Sequence, residues 1–307
     1  MSLSIAEMES SIHILFSTSA DYPLLLKEIS DFPRTLYYRG ALPACLPCVG
    51  IVGTRKASAE ARALARETAR ILSCQGFAIV SGLAFGVDAA AHEGALSGGT
   101  PTFAVQGSGL NETYPREHEN LARQILDAGG GVLSEYEPSS PALPHQFLER
   151  NRIISGLCVS VIFIEVPIRS GAMSTARHAA TQGRDILVFA NRPSNHRYEG
   201  SHMLLREGAR FVSSPEDALE DVLATLPRYP ALKLSASLMF RGSTSKQFGD
   251  EKEEQVYNEL FRVGTSLSVD NLAEITTLDV QSLNMILTNL ILAGMAYEEG
   301  GRFFVKK

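Results

Sequence analysis

The sequence predicts an α/β fold, a doubly wound and mainly parallel sheet with helices on both faces, joined to a small C-terminal domain. Three observations predict it. From about residue 48 onward, short apolar runs alternate with longer segments of helical spacing. The run Val159–Val166, VSVIFIEV, is apolar almost without interruption, as a strand buried on both faces must be. From 227 to 250 the chain carries Pro, Ser and Gly without sustained periodicity, which marks a linker.

The elements follow in order. CVGIV (48–52) is a strand, and the Gly-Thr-Arg turn after it enters a helix from about Ser58 to Gln75 that Gly76 ends. Phe77–Val80 starts the next strand, followed by a short helix Asp88–Leu96 and a strand Thr102–Val105. A helix then begins at Pro115, a residue tolerated at a first helical position, and runs to Ala128 before three glycines. Strand Val132–Leu133 leads to a Pro-rich loop, 138–144, and a helix Leu148–Cys158. After the strand Val159–Val166 come helix Ser170–Gln182, strand Ile186–Ala190, helix Ser201–Glu207, strand Arg210–Val212 and helix Pro215–Leu226. Strand order is not legible at this level. Beyond the linker, helices Glu251–Phe261, Val269–Ile275 and Asp279–Ala293 precede strands Met295–Glu298 and Arg302–Val305 around Gly300-Gly301, a winged-helix arrangement. The expected domains are a short N-terminal extension (1–21), the sheet domain (22–226), the linker (227–250) and the winged helix (251–307).

Composition narrows the function. The 307 residues are 45% apolar and 20% charged, which excludes disorder and low complexity for the whole chain. No apolar run approaches the roughly 18 residues of a membrane span, and MSLSIAEMESS lacks a basic cluster, so neither a leader nor a membrane partner is expected. Four cysteines are too few for a disulfide framework, and the expected location is the cytoplasm. Cys45-Leu-Pro-Cys48 has redox spacing but precedes the first core strand instead of following one, and is read as coincidence. The seven His form no HExxH or HxH pattern, so no metal and no cofactor is expected. Net charge is −6, yet from Arg150 to Arg210 nine Arg oppose four acids, and an anionic ligand is expected there.

Four motifs carry the candidate chemistry. Gly53-Thr54-Arg55 lies at a strand end before a helix, where backbone amides, the helix dipole and a forked guanidinium favour an anion; a turn needing Gly for steric reasons is the plainer reading. It has neither the third glycine of a dinucleotide fingerprint nor the Gly-Lys-Ser/Thr of a P-loop. Ser81-Gly82 repeats the geometry, with Asp88 and His92 one helical turn apart as an acid–base pair or as a cap with an intrahelical hydrogen bond. Phe147, Arg150, Asn151 and Arg152 precede the strongest strand, and Ser170-Gly171, with Ser174, opens the next helix. Each alone could be structural. Four strand-end motifs in one doubly wound domain converge at its carboxyl edge, where such folds bind ligands.

The set GTR (53–55), SGLAFGVDAAAH (81–92), GLNETYP (109–115), FLERNRIISGL (147–157) and SGAMSTARHA (170–179) closely resembles the DNA-processing protein A family, DprA or Smf, over roughly Tyr22 to Leu226. The resemblance implies an extended Rossmann-like domain that binds and protects single-stranded DNA, forms a homodimer and loads the RecA recombinase during natural transformation or recombination. Physical chemistry and resemblance agree on the site. Amides of Gly53, Ser81-Gly82 and the Ser170 helix start are expected to hold phosphates, Arg55, Arg150 and Arg152 to neutralise them, and Phe147 to stack a base. Thr54, Asn151, Gly171 and Ser174 complete the candidate set.

The chain departs from the family pattern in three places. Only about 20 residues stand before Tyr22, where many members carry a small helical domain. Leu143-Pro144-His145-Gln146 replaces a frequent basic residue, and Asn191-Arg192-Pro193 stands where Val-Pro-Gly is common. The rival reading is a Rossmann-like nucleotide-binding enzyme of the phosphoribohydrolase type. Its motif carries a catalytic Glu about where this chain has His178, so no enzyme activity is expected. A transcription regulator is disfavoured because Asp279–Ala293 carries no Lys or Arg, and the winged helix is expected to contact protein.

Overall fold

The computed structural model describes residues 11–232, 251–263, 267–276, 278–292, 296–300 and 302–305. The chain divides into two compact units, Met1–Thr244 and Ser245–Lys307. Most of the expected linker, 233–250, lies outside the described residues.

In the first unit the described residues form a sheet of nine strands: β1 (His13–Phe16), β2 (Thr35–Gly40), β3 (Cys48–Gly53), β4 (Ala78–Ser81), β5 (Thr102–Val105), β6 (Gly131–Ser134), β7 (Ser160–Ile164), β8 (Asp185–Phe189) and β9 (Arg210–Val212). Their order is β1-β2-β6-β5-β4-β3-β7-β8-β9, parallel from β6 to β9 and antiparallel where β1 and β2 join. The chain enters the parallel part at β3, winds outward to β6, then returns to lay β7 on the other side of β3. That reversal is a topological switch point, and a crevice opens there beyond the carboxyl ends of β3 and β7.

Eight α-helices accompany the described sheet: α1 (Leu24–Lys27), α2 (Ala59–Cys74), α3 (Val87–Gly98), α4 (Glu119–Asp127), α5 (Pro144–Gly156), α6 (Gly171–Thr181), α7 (Glu199–Arg206) and α8 (Pro215–Thr225). The unbroken apolar run of β7 is explained by what its two faces meet. Val161 and Phe163 pack with Ile153 and Ile154 of α5 and Ala172 and Ala176 of α6. Ile162 and Ile164 point the other way, into a core with Ala65 and Leu72 of α2 and Ala91 of α3.

The N-terminal boundary needs correction. The sheet begins inside the segment expected as an extension, because β1 starts at His13 and pairs with β2 in the register Leu15↔Leu36. Of the four residues of β1 only Leu15 is buried, and β2 is mostly half-buried. An edge strand with so little apolar demand leaves no periodic signal. Helix α5 starts at Pro144, four residues before its expected start, with the Leu143 N–H donating to Gln146 Oε1 at 3.0 Å. The helix expected from Pro115 opens as a 3₁₀ turn, Arg116–His118, and becomes α-helical at Glu119. The other elements expected between 48 and 226 stand within three residues of their expected bounds.

The second unit contains α9 (Glu251–Val263), α10 (Val269–Thr276), α11 (Val280–Leu292) and a hairpin of β10 (Ala296–Glu299) and β11 (Arg302–Val305). Leu260, Leu272, Leu283, Leu287 and Phe303 share its core, and Leu267 bridges antiparallel to Phe303. This is the element order expected of 251–307. No helix among the described residues is long and apolar enough to cross a membrane.

Candidate nucleic-acid interface

The crevice at the switch point is a cavity of about 540 Å³ walled mainly by three segments, with Ala84, Asp88 and Tyr114 also in its lining. The three segments are the loop after β3, the first turns of α5 and the loop from β7 into α6. A Cβ at Gly53 would stand 2.0 Å from Ile164 O and 2.6 Å from the Val87 side chain, so this loop leaves β3 only as glycine. The Thr54 N–H then donates to Glu165 O at 3.2 Å, and Thr54 O accepts from the Val87 N–H at 3.3 Å. Arg55 and Lys56 follow at the rim, and Arg169 stands on the β7–α6 loop. All three are exposed, and none forms a salt bridge among the described residues.

The floor is built differently. Arg150 is only 4% exposed, and its Nη1 donates to Gly82 O at 2.8 Å and to Val105 O. Asp88, buried beside it, accepts the Gly82 N–H at 3.1 Å. Burial raises the Asp88 carboxyl pKa and lowers that of the Arg150 guanidinium to about 10, and each charge partly offsets the shift of the other. A Cβ at Gly82 would come within 2.7 Å of the Asp88 carboxylate and 2.8 Å of Arg150, which explains the glycine sterically. Ser81 Oγ is buried and donates to Ile51 O at 2.7 Å. The Ser81-Gly82 turn thus directs its hydrogen bonds into the protein, and the Gly82 amide expected to meet a phosphate is engaged by Asp88. Asp88 and His92 form neither of the pairs expected of them. His92 Nδ1 donates to Thr102 Oγ1 at 2.8 Å, whose own proton goes to Ile79 O at 2.7 Å, and burial pushes the imidazole down to about 3, so it is neutral.

The start of α6 keeps its donors open. Asn151 Nδ2 donates to Gly171 O at 3.1 Å and so fixes that turn against α5. Ser170 occupies the N-cap position without capping, its Oγ buried and without a partner among the described residues. The amides of Gly171 and Ala172 have no intrahelical acceptor by helix geometry, and both residues line the cavity. At α2, by contrast, Ser58 Oγ accepts the Ala61 N–H at 3.1 Å and closes the corresponding site.

Phe147 stands between the two kinds of guanidinium. Its ring centre is 5.5 Å from Arg55 Cζ and 6.0 Å from Arg150 Cζ, with the Tyr114 ring 5.1 Å away. A second hollow lined by Phe85, Tyr114, Phe147 and Arg55 adjoins the cavity.

Besides Ser81 and Gly82, which are absent from the cavity lining, two more expected site residues fall elsewhere. Arg152 is outside the cavity lining, its Nη2 2.6 Å from Glu135 and its Nε 3.3 Å from Asp31. Ser174 lies one turn into α6, also outside the lining. The positive count from 150 to 210 shrinks in the same way. Arg184 donates to Leu25 O at 2.8 Å, Arg197 pairs with Glu165 at 2.9 Å and Arg210 with Asp221 at 2.5 Å.

Residues 13–223 match the family described as DNA recombination-mediator protein A. The chain belongs to this family. It is 38% identical to Protein Smf of Escherichia coli over 211 residues, 68% of this chain and 56% of that protein. It therefore spans little more than half the length of that relative. Protein Smf of Synechocystis is 32% identical over a match covering 94% of this chain and 78% of its own. Among solved structures, the X-ray structure of DNA processing protein A from Streptococcus pneumoniae aligns with TM-score 0.64 at 36% identity, covering 70% of this chain and 76% of that one. DNA processing protein A from Helicobacter pylori, a structure described for its single-stranded DNA binding mode, aligns with TM-score 0.63 at 29% identity, covering 71% and 99%.

Of the expected set the cavity brings together Gly53, Thr54, Arg55, Phe147, Arg150, Asn151, Ser170 and Gly171. Lys56, Tyr114 and Arg169 line it as well without having been singled out as site residues. Tyr114 lies in the GLNETYP run and Arg169 directly precedes Ser170, but only the fold brings them to the same cavity as Arg55.

Proposed function

We propose that this chain binds single-stranded DNA in the switch-point cavity, as a recombination mediator without turnover of its ligand. The phosphates meet Arg55, Lys56, Arg169 and the open amides of α6, while bases stack on Phe147 and pass toward Tyr114 and Phe85. Arg150 supplies positive potential from beneath Phe147. The observation that carries this reading is a cavity at the switch point of a domain of this family that is lined by Phe147 and by three exposed cations without a salt bridge among the described residues, one of them over the ring. Such contacts address the backbone and the π-face, so the bound strand is selected by single-strandedness more than by sequence. The hydrolytic reading finds no support: His178 stands where a phosphoribohydrolase would carry Glu, and Asp88 and His92 are locked in internal hydrogen bonds.

Fluorescence anisotropy with labelled mixed-sequence and oligo-dT strands tests the reading. Phe147→Ala is expected to weaken binding by about 1–3 kcal/mol while leaving the salt dependence unchanged, since stacking releases no counterion. Absence of binding by the unaltered protein at low salt would reject the proposal.

Family membership extends the proposal to a cytoplasmic homodimer that protects incoming DNA and loads RecA during natural transformation or recombination, with 251–307 a winged helix facing a protein partner. Sedimentation velocity is expected to give twice the 33.3 kDa chain mass. Pre-bound protein is expected to shorten the lag of RecA filament growth on single strands. A monomer, or an unchanged lag, would remove that part.

A further inference from the structure

We propose that Glu165 is a positioning residue for the Arg55-Lys56 loop: it never touches the strand, and it sets affinity by holding the loop's cations at the cavity. The inference rests on the single-strand reading above. Glu165 directly follows β7 at the switch point. Its side chain is 0% exposed, yet its backbone adopts φ +48°, a left-handed conformation unfavourable for a residue with a long side chain. A buried carboxylate in a strained backbone persists only where its surroundings require it.

What surrounds it is the cation loop. The Glu165 carbonyl accepts the Thr54 N–H at 3.2 Å. The carboxylate accepts the Ser58 N–H at 3.0 Å and the Ser58 hydroxyl at 2.5 Å, across 107 positions of sequence. Its other oxygen accepts from Arg197 Nη1 at 2.9 Å, and that same nitrogen donates to Lys56 O at 2.9 Å. One acidic residue thus fixes the loop at 54, 56 and 58, leaving the Arg55 and Lys56 side chains at the rim. Burial and the Arg197 partner also keep a negative charge at the switch point from facing the phosphates. Among the described residues every donor on this carboxylate belongs to the loop or to the arginine that grips it, so the cluster serves the loop's shape in particular.

The test uses the full chain and a fluorescein-labelled oligo-dT strand across a NaCl series. Glu165→Gln keeps size and removes the charge that orients Arg197. It is expected to weaken binding about tenfold and to make the slope of log K against log[salt] shallower by about one, with the circular dichroism spectrum unchanged. Introduced into an Arg55→Ala/Lys56→Ala background, the same substitution is expected to cost less than about twofold, because the side chains it positions are gone. Wild-type binding by Glu165→Gln, or a tenfold loss that persists in the doubly substituted background, would overturn the inference. Should Glu165→Gln not fold, Arg197→Ala carries the same test, since its side chain is 57% exposed and its removal leaves the core untouched. A loss that persists in the Arg55→Ala/Lys56→Ala background would place Arg197 on the strand itself and refute the positioning role. Failure of the unaltered chain to bind oligo-dT would instead reject the single-strand reading, and this inference with it.

Discussion

Arg55→Ala combined with Arg169→Ala is expected to lower affinity for single strands about a hundredfold near 0.1 M salt and to make the slope of log K against log[salt] shallower by about 1.4. Both side chains are exposed at the cavity and neither has a carboxylate partner among the described residues, so their charge is available to a phosphate. Each phosphate neutralised on a single strand contributes about 0.7 to the slope, and the loss is expected to be equal across base sequences because neither cation reads a base edge. Arg152→Ala is the contrasting variant. Its guanidinium is held by Glu135 and Asp31 and its side chain is 14% exposed, so its loss is expected to lower the melting temperature and leave the slope alone. Anisotropy titrations at four or so salt concentrations measure both. A double variant with the wild-type slope would show that the phosphates lie elsewhere.

The contrast between Arg55 and Arg152 marks where a sequence stops being legible. The parallel sheet could be read because burial on both faces writes itself into consecutive residues, as in VSVIFIEV, whose alternate side chains enter opposite cores. The glycine at 53 was legible for a related reason, since a tight strand-to-helix turn demands it locally. The edge strand β1 and its half-buried neighbour β2 make no such local demand. Charge pairing is less legible still: Arg152 with Glu135, Arg184 with Glu28 and Arg197 with Glu165 bind partners 17, 156 and 32 residues away. A count of arginines from 150 to 210 therefore does not tell which charges remain free: of that stretch Arg169 lines the cavity as an exposed cation, while Arg55 and Lys56 come from outside it. Glu165 is hidden for the same reason. In sequence it is one acid ending an apolar run, and its purpose appears only when β7 is laid beside β3.

Arg150→Met separates a strut from a ligand. The side chain is nearly isosteric and apolar, so it fills the volume while leaving Gly82 O and Val105 O without their donor and Asp88 buried without its cation. Each buried acceptor left without its donor costs about 1–3 kcal/mol, and a loss of a few kcal/mol is expected in urea unfolding at neutral pH. The dependence on pH follows from Asp88. Burial raises its folded pKa above the unfolded value, and in the native protein Arg150 opposes that rise. A raised carboxyl pKa means the folded state holds the proton more tightly, so the group's stabilising contribution is present below the unfolded pKa and is lost as pH rises through the folded one. Without Arg150 the rise is larger, and the deficit of the variant is expected to be greatest near neutrality and to narrow on acidification through the carboxylate range. Asp88→Asn added to Arg150→Met removes the uncompensated charge while its amide oxygen still accepts the Gly82 N–H. The pair is expected to recover part of the lost stability and to flatten the pH profile. Urea midpoints of the three proteins at about pH 4.5 and 7.5 decide it. If Arg150→Met unfolds at the wild-type midpoint at both values and loses only DNA affinity, the guanidinium is a phosphate ligand reached through the cavity floor and not a strut beneath it.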